Sequence, residues 1–121
     1  VLVVDDNTDA AHTLQVLLSL QGVAATVVHD GAAAVEQVRS NPPEAIVMDI
    51  GMPVMNGYEA AQRIREIHPG RDIVLVALTG WGQYADKARA AEAGFDFHFV
   101  KPLQIEDLMA CLARAPTTQG A

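Results

Sequence analysis

The chain has 121 residues, half of them hydrophobic, and a formal net charge of −7. This length suits one domain with its own core. The hydrophobic residues come in runs of about five, much shorter than the roughly 20 that a membrane span needs. The negative charge argues against direct nucleic-acid binding, because a phosphate backbone must be met by clustered Lys and Arg. We therefore expect one soluble domain that binds neither nucleic acid nor membrane directly.

The N-terminal sequence and the single cysteine both give an indication of cellular location. No basic stretch precedes an apolar segment with a small-residue cleavage site, so nothing indicates secretion. Cys111 cannot form an internal disulfide, which is typical of the reducing cytoplasm, and we interpret it as a residue that packs a helix. The chain begins with Val1 inside a predicted strand, without an initiator Met. We expect a cytoplasmic domain that is part of a longer protein.

Short apolar runs alternate with longer segments of helical period along the chain. The runs are typical of buried strands and lie at Val1–Val4, Ala24–Val28, Ala45–Met48 and Ile73–Leu78. The first predicted helix starts near Thr8 and Asp9, which we expect to cap it, and stops at Gly22. A second helix is predicted at about Gly31–Arg39, and a third follows Asn56-Gly57 and is ended by His68-Pro69-Gly70. The last two are predicted at about Tyr84–Ala93 and Gln104–Arg114.

The last predicted strand has a different pattern. Phe95, Phe97 and Phe99 alternate with polar residues, which predicts a strand with one apolar face at a sheet edge. Five strands alternating with five helices are typical of an α/β fold, here a flavodoxin-like, doubly wound parallel sheet of order 2-1-3-4-5 with helices on both faces. We predict this domain over residues 1–115, and a disordered tail or linker over 116–121, which lacks an apolar period.

Polar residues stand at the strand ends along one edge of this predicted sheet. Asp5 and Asp6 follow the first strand, and the third, fourth and fifth are followed by Asp49, Thr79 and Lys101. In such a sheet the ligand crevice lies beyond the carboxyl ends of the strands, where the strand order reverses. Singly, each residue is equally well explained as a cap, a turn residue or a solvated charge. Together, at one edge, they indicate a functional site.

Three converging carboxylates repel one another unless they share protons or bind a cation. Oxygen ligands without nearby Cys or His favour Mg²⁺, with Mn²⁺ as the alternative, over zinc. Gly51 can add a backbone carbonyl, since a glycine allows close approach. With Lys101, the cation would neutralise a phosphoryl group on a nucleophilic Asp49, and Thr79 would donate its hydroxyl to that group.

Four stretches resemble the receiver domains of bacterial response regulators, and the resemblance covers essentially the whole chain. They are Val3-Val4-Asp5-Asp6, Asp49-Ile50-Gly51-Met52-Pro53-Val54-Met55-Asn56-Gly57, Leu78-Thr79-Gly80 and Val100-Lys101-Pro102. The resemblance implies that Asp49 is phosphorylated from a phosphohistidine on a histidine kinase or histidine phosphotransfer protein. It implies that Asp6, Asp49 and the Gly51 carbonyl hold Mg²⁺, with Asp5 acting mainly through water.

The resemblance also implies a switch. Thr79 would move toward the phosphoryl group, and the surface of the fourth helix, fifth strand and fifth helix would report the change and offer a homodimer interface. The switch position three residues before Lys101 is His98, where the family most often has Tyr or Phe. A switch role and a plain surface location both stay open for it. We interpret the other histidines, His12, His29 and His68, as solvated.

Two positions in the family tune the hydrolysis of the acyl phosphate, and here they are Gly51 and Trp81. Gly51 offers no side chain to orient an attacking water, and Trp81 is large enough to shield the phosphoryl group. We therefore expect slow self-dephosphorylation. By this interpretation the chain is a signalling domain that catalyses only its own phosphorylation and dephosphorylation.

Two other classes of protein share parts of the pattern. A haloacid-dehalogenase-like phosphatase needs a second Asp, two residues after the nucleophile, as its catalytic acid. This chain has Gly51 at that position and would lack the acid. A non-phosphorylated flavodoxin-like or pseudo-receiver binding module is the remaining alternative. A module that binds a phosphate-bearing cofactor would favour a Gly- or Ser-rich loop after the first strand. A degenerate receiver would usually lack the acceptor Asp or the lysine, and this chain has both. Residues 79–83 and 94–102 most resemble receivers fused to hybrid sensor histidine kinases.

Overall fold

A computed structural model describes residues 1–50, 57–67, 73–79, 91–100 and 103–113. Five parallel strands form one sheet in the order β2-β1-β3-β4-β5. They are β1 (Leu2–Val4), β2 (Thr26–Val28), β3 (Ala45–Asp49), β4 (Val74–Thr79) and β5 (Phe97–Val100). The helices are α1 (Thr8–Leu20), α2 (Gly31–Ser40), α3 (Gly57–Ile67) and a C-terminal helix (Ile105–Leu112). The predicted sheet and its strand order are confirmed.

The sheet separates two apolar cores because alternate residues of its strands point to opposite faces. In β3, for example, Ile46 and Met48 join α2 and α3 in one core, whereas Val47 joins α1 and the C-terminal helix in the other. Burying one such side chain contributes about 1.5–3 kcal/mol. The helices thus lie on both faces, as predicted, and the side chain of Cys111 packs in the second core.

The starts of the first two helices follow from caps. Asn7 caps α1, because its side chain accepts the Ala10 N–H at 3.0 Å. The prediction that Thr8 and Asp9 cap this helix is therefore wrong by one or two residues. Asp30 caps α2 in the same way, accepting the Ala33 N–H at 2.7 Å. Both caps lie within three residues of a strand end, so they help to fix how the chain leaves the sheet.

The segment leading into β5 departs from the predicted alternation. Phe95 packs in the core with α2 and α3, edge-on to Tyr58 with ring centroids 6.5 Å apart, whereas Phe97 and Phe99 lie on the other face. The prediction of three phenylalanines on one face is therefore wrong for Phe95. Phe95 lies before β5, and between them Asp96 makes two hydrogen bonds to Leu75: its N–H donates to the Leu75 carbonyl at 2.8 Å, and its carboxylate accepts the Leu75 N–H at 2.9 Å.

An arginine network ties α3 to the amino ends of β4 and β5. The Arg65 guanidinium donates four hydrogen bonds: two to the Gly94 carbonyl, one to the Ile73 carbonyl and one to the Asp96 carboxylate. Gly94 has φ +110°, and a Cβ there would lie 2.8 Å from Arg65 Cγ, so only glycine fits beneath the arginine. The network joins residues up to 31 positions apart.

Several predicted features lie partly or wholly outside the described residues. Of the fourth predicted helix, residues 91–93 are described and are helical. The predicted tail at 116–121 falls outside these ranges. Within the part of the chain that is described, none of the helices combines the length and apolar character that crossing a membrane requires.

Candidate functional site

The acidic residues meet because β1 and β3 are neighbours at the centre of the sheet. The two strands are parallel, and Val4 is paired with Met48. The next residue on each strand is an aspartate, so Asp5 and Asp49 come side by side at the carboxyl edge. Asp6 follows Asp5 on the loop to α1. This is the crevice at the reversal of strand order where doubly wound sheets bind ligands.

The three carboxylates form a compact cluster. One oxygen from each of Asp5, Asp6 and Asp49 lies within 4.8 Å of the others. Asp5 is only 5% exposed and Asp49 8%, whereas Asp6 is exposed. Like charges this close destabilise one another, most strongly where burial keeps water away. The exposed Asp6 leaves the cluster open to solvent ions.

The donor set fits a hard divalent cation. The cluster offers only carboxylate oxygens, which Mg²⁺ prefers, and it contains neither the thiolate nor the imidazole typical of zinc sites. Asp5 is also held in place for such a role: its N–H donates to the Val28 carbonyl at 3.2 Å, and its Oδ1 accepts the Asn7 N–H at 3.0 Å. The two buried carboxylates therefore converge on a fixed backbone.

Thr79 closes β4 next to this cluster. It is 1% exposed, and its Oγ1 is buried without a hydrogen-bond partner among the residues that are described. A buried hydroxyl without a partner costs about 1–3 kcal/mol, and such groups often mark a ligand position. Because Asp49 is paired with Leu78, Thr79 lies one residue further along the neighbouring strand. Its hydroxyl is suited to donate to an oxygen of a group carried by Asp49.

His98 lies on the same face of the sheet as Thr79. It is paired with Ala77 on β4, so Thr79, two residues on, is its diagonal neighbour. His98 is half-buried, and its Nε2 is fully buried. This position differs from that of a solvated surface histidine, the plainer of the two interpretations open from the sequence.

The backbone after Asp49 is fixed by a close approach to α3. The Ile50 N–H donates to the Leu78 carbonyl at 3.0 Å, and the Ile50 carbonyl accepts the Gly57 N–H at 3.3 Å. A Cβ on Gly57 would lie 2.5 Å from Ile50 Cα, so a larger residue would push the two segments apart. The glycine that starts α3 thus keeps Ile50, the residue after Asp49, in position.

His29 is a site residue that the sequence did not reveal. Its ring is exposed, as expected, but Nδ1 lies 3.1 Å from the carbonyl oxygen of Asp5. The expected exposure of His29 is thus confirmed, and its hydrogen bond with Asp5 is what the sequence did not reveal. His12 is exposed on α1, and His68 lies outside the described residues. No local pattern signals a bond between a side chain and a carbonyl 24 residues away.

Three other predicted site residues, Gly51, Trp81 and Lys101, lie outside the described ranges, and their roles remain predictions. A cavity of about 460 Å³ adjoins the acidic cluster on the α1 side. Its polar lining includes Asp5, Asn7 and Asp9. The acidic cluster is therefore reached by solvent at the exposed Asp6 and has open space beside Asp5 as well.

Comparison with known proteins agrees with this geometry. The model of the response regulator receiver domain matches residues 1–113. Response regulator MprA of Mycobacterium ulcerans is 33% identical over 110 residues, which cover 91% of this chain and 47% of that protein. The chain thus spans about half the length of the response regulators it matches.

Two solved structures resemble both the sequence and the fold. The receiver domain of sensor histidine kinase PA1611 from Pseudomonas aeruginosa, described with a magnesium ion coordinated in its active site cleft, is 32% identical with a TM-score of 0.83, covering 94% of this chain and 93% of that one. The receiver domain of Ssk1 from Saccharomyces cerevisiae, in complex with the histidine phosphotransfer protein Ypd1, is 25% identical with a TM-score of 0.86, covering 99% and 90%.

Fold and site together define a parallel α/β signalling domain with an acidic crevice at the reversal of strand order. The chain belongs to the response regulator receiver domain family of two-component signalling.

Proposed function

We propose that this domain accepts a phosphoryl group on Asp49 from a phosphohistidine of a histidine kinase or histidine phosphotransfer protein, in a reaction that depends on Mg²⁺. The observation that carries the proposal is the cluster of Asp5, Asp6 and Asp49 within 4.8 Å, with the buried Thr79 hydroxyl beside it. The complex of the Ssk1 receiver with a phosphotransfer protein supports this class of partner.

The transfer forms one bond and breaks another. A carboxylate oxygen of Asp49 attacks phosphorus, the P–N bond of the phosphohistidine breaks, and its electron pair returns to the imidazole nitrogen of the donor. The product is an acyl phosphate. Thr79 donates its hydroxyl to a phosphoryl oxygen, and Lys101 contributes a positive charge.

The carboxylates of Asp5, Asp6 and Asp49, with the backbone carbonyl of Gly51, would hold the cation. When bound, Mg²⁺ supplies positive charge that offsets the repulsion between the carboxylates and the arriving phosphoryl group. Mn²⁺ suits the same oxygen donors. Asp5 and Asp49 are buried, so their carboxylates would be held facing the cation, whereas the exposed Asp6 would leave the site open to solvent.

Phosphorylation would switch the surface formed by the predicted fourth helix, β5 and the C-terminal helix. The modification replaces one negative charge with about two, and Thr79 would follow the new oxygens. His98, diagonal to Thr79 on the same face, is the proposed relay. A homodimer through this surface and slow self-dephosphorylation, with Gly51 and Trp81 beside the phosphoryl group, remain predictions.

The domain would occupy residues 1–115 of a longer signalling protein, with a linker after it. The likeness to the receiver of sensor kinase PA1611 supports a hybrid histidine kinase as the parent protein. Cys111 is buried and is the single cysteine of the sequence, so it cannot form an internal disulfide, and this supports a cytoplasmic location.

The proposal is tested by incubating the chain with phosphoramidate, a small phosphoryl donor, and measuring intact mass with and without Mg²⁺. We expect one added phosphoryl group that requires Mg²⁺. Asp49→Asn keeps the shape of the acceptor but removes the nucleophilic carboxylate, so it should gain none. Asp107→Asn, an exposed site on the C-terminal helix, is the matched control and should be phosphorylated normally. An unmodified native chain, or a modified Asp49→Asn chain, would contradict the proposal.

A further inference from the structure

The His29 ring makes a hydrogen bond whose direction is fixed by chemistry. Nδ1 lies 3.1 Å from the Asp5 carbonyl oxygen, and a carbonyl oxygen can only accept. Nδ1 must therefore carry the proton and donate it. The ring is the donor in a contact that reaches from the end of β2 to the end of β1.

The accepting carbonyl belongs to the peptide unit that joins Asp5 to Asp6. That unit is planar, so fixing its oxygen also fixes the plane that connects the two Cα atoms. Both of these residues contribute an oxygen to the acidic cluster. One hydrogen bond from His29 thus restricts the direction in which two of the three carboxylates leave the backbone.

The residues on both sides of His29 are held in place by hydrogen bonds. The residue before it, Val28, is paired with Val4 and accepts the Asp5 N–H at 3.2 Å. The residue after it, Asp30, caps α2 by accepting the Ala33 N–H at 2.7 Å. Asp5 is accordingly held at its N–H by Val28, at its carbonyl by His29 and at Oδ1 by the Asn7 N–H.

We infer that His29 is a positioning residue for the cation site: its Nδ1–H holds the Asp5–Asp6 peptide so that both carboxylates face Asp49. The inference rests on the proposed function, because it concerns the same Mg²⁺ site. His29 contacts neither the cation nor the phosphoryl group in this role. Its contribution is geometric, and a neutral donor of the same reach replaces it.

Matched substitutions separate the donor from the bulk of the ring. His29→Asn places an N–H the same number of bonds from Cα as Nδ1, whereas His29→Leu keeps the branch at Cγ and has no donor. Mg²⁺ affinity is measured by calorimetric titration in the same buffer for every chain. We expect about threefold weaker binding for His29→Leu, the effect of one exposed hydrogen bond, and affinity within about 1.5-fold of the native value for His29→Asn.

Two further measurements distinguish positioning from general stability. The Mg²⁺ concentration that half-saturates phosphorylation by phosphoramidate should rise about threefold in His29→Leu, with the rate at saturating Mg²⁺ unchanged. Urea unfolding should leave the three chains within about 0.5 kcal/mol of one another, as is usual for exposed sites. His12→Leu, at an exposed histidine on α1, should change none of these quantities.

The inference is overturned if His29→Leu binds Mg²⁺ as tightly as the native chain, or if His29→Asn is weakened as much as His29→Leu. A native chain that binds no Mg²⁺ would overturn both this inference and the proposed cation site. A native chain that shows the expected His29 dependence but accepts no phosphoryl group would contradict the proposed function alone.

Discussion

The two ends of the sheet handle charge in opposite ways. At the amino ends of β4 and β5, the Arg65 guanidinium meets two carbonyls and the Asp96 carboxylate, so cation and acceptors satisfy one another. At the carboxyl ends, three carboxylates of the same sign lie within 4.8 Å. One end thus stabilises the fold, whereas at the other the carboxylates repel one another, a repulsion that the proposed cation would relieve. Opposite charges and hydrogen-bonding groups are thus paired where the contacts are structural, and like charges are crowded where the candidate functional site lies.

The largest expected effect on stability comes from removing the arginine network at the amino ends of β4 and β5. Arg65→Leu leaves the carbonyls of Gly94 and Ile73 and the Asp96 carboxylate without their charged donor, and should lower the free energy of unfolding by about 3 kcal/mol. Urea unfolding measures the loss. Arg63→Leu, at an exposed arginine on the same helix, should cost less than about 0.5 kcal/mol.

If the two ends are independent, the folded Arg65→Leu chain should still bind Mg²⁺ with native affinity. Equal stability of the Arg65 and Arg63 variants would show that the network contributes little. A large loss of Mg²⁺ affinity in folded Arg65→Leu would show instead that the two ends are coupled.

A smaller effect is expected where α3 touches the functional end. Gly57→Ala brings a Cβ to 2.5 Å from Ile50 Cα, and because the neighbour is backbone, the segments must separate. We expect a loss of about 2 kcal/mol in stability together with weaker Mg²⁺ binding, since Ile50 directly follows Asp49.

Gly22→Ala is the control for a glycine substitution without a clash. Gly22 has φ +80° and nothing within 4 Å of an added Cβ, so the change should cost about 1 kcal/mol of backbone strain and leave Mg²⁺ affinity unaltered. If Gly57→Ala also leaves Mg²⁺ affinity unaltered, the close approach serves packing alone.

The smallest expected effect has the opposite sign. Without divalent cations, Asp49→Asn removes one of the crowded charges and should raise the free energy of unfolding by about 1 kcal/mol. Glu66→Gln, at an exposed acid on α3, should change it by less than about 0.5 kcal/mol. Mg²⁺ at ten times its Kd should then stabilise the native chain by about 1.4 kcal/mol and Asp49→Asn by less. A destabilised Asp49→Asn chain would show that the carboxylates do not repel one another appreciably.

The sheet and the meeting of its acidic residues were accessible from the sequence because both follow from local patterns and chain order. Buried apolar runs mark β1 and β3, and once these strands are neighbours, Asp5 and Asp49 must lie side by side. The start of α1 was predicted within a residue, but its cap was not, since three successive residues, Asn7, Thr8 and Asp9, all have capping side chains.

Long-range hydrogen bonds from side chains account for what the sequence missed. Arg65 and His29 both look like ordinary surface residues, and their acceptors are 8 to 31 positions away in the chain. Phe95 fits the period of a strand but lies before the first residue of β5, and the Asp96 side chain bonds the Leu75 N–H between them. Such contacts depend on three-dimensional closeness, which periodicity does not encode.

The placement of His29 after β2 links the acidic crevice to the outermost strand on that side of the sheet. β2 has three residues and, in the described part of the chain, pairs with β1 alone, so it can fray while the centre of the sheet stays intact. Each fraying event would release the Asp5–Asp6 peptide and lower the affinity for the cation, and by reciprocity an occupied site would hold β2 in place. A bound ion would then stabilise an edge strand with which it has no direct contact.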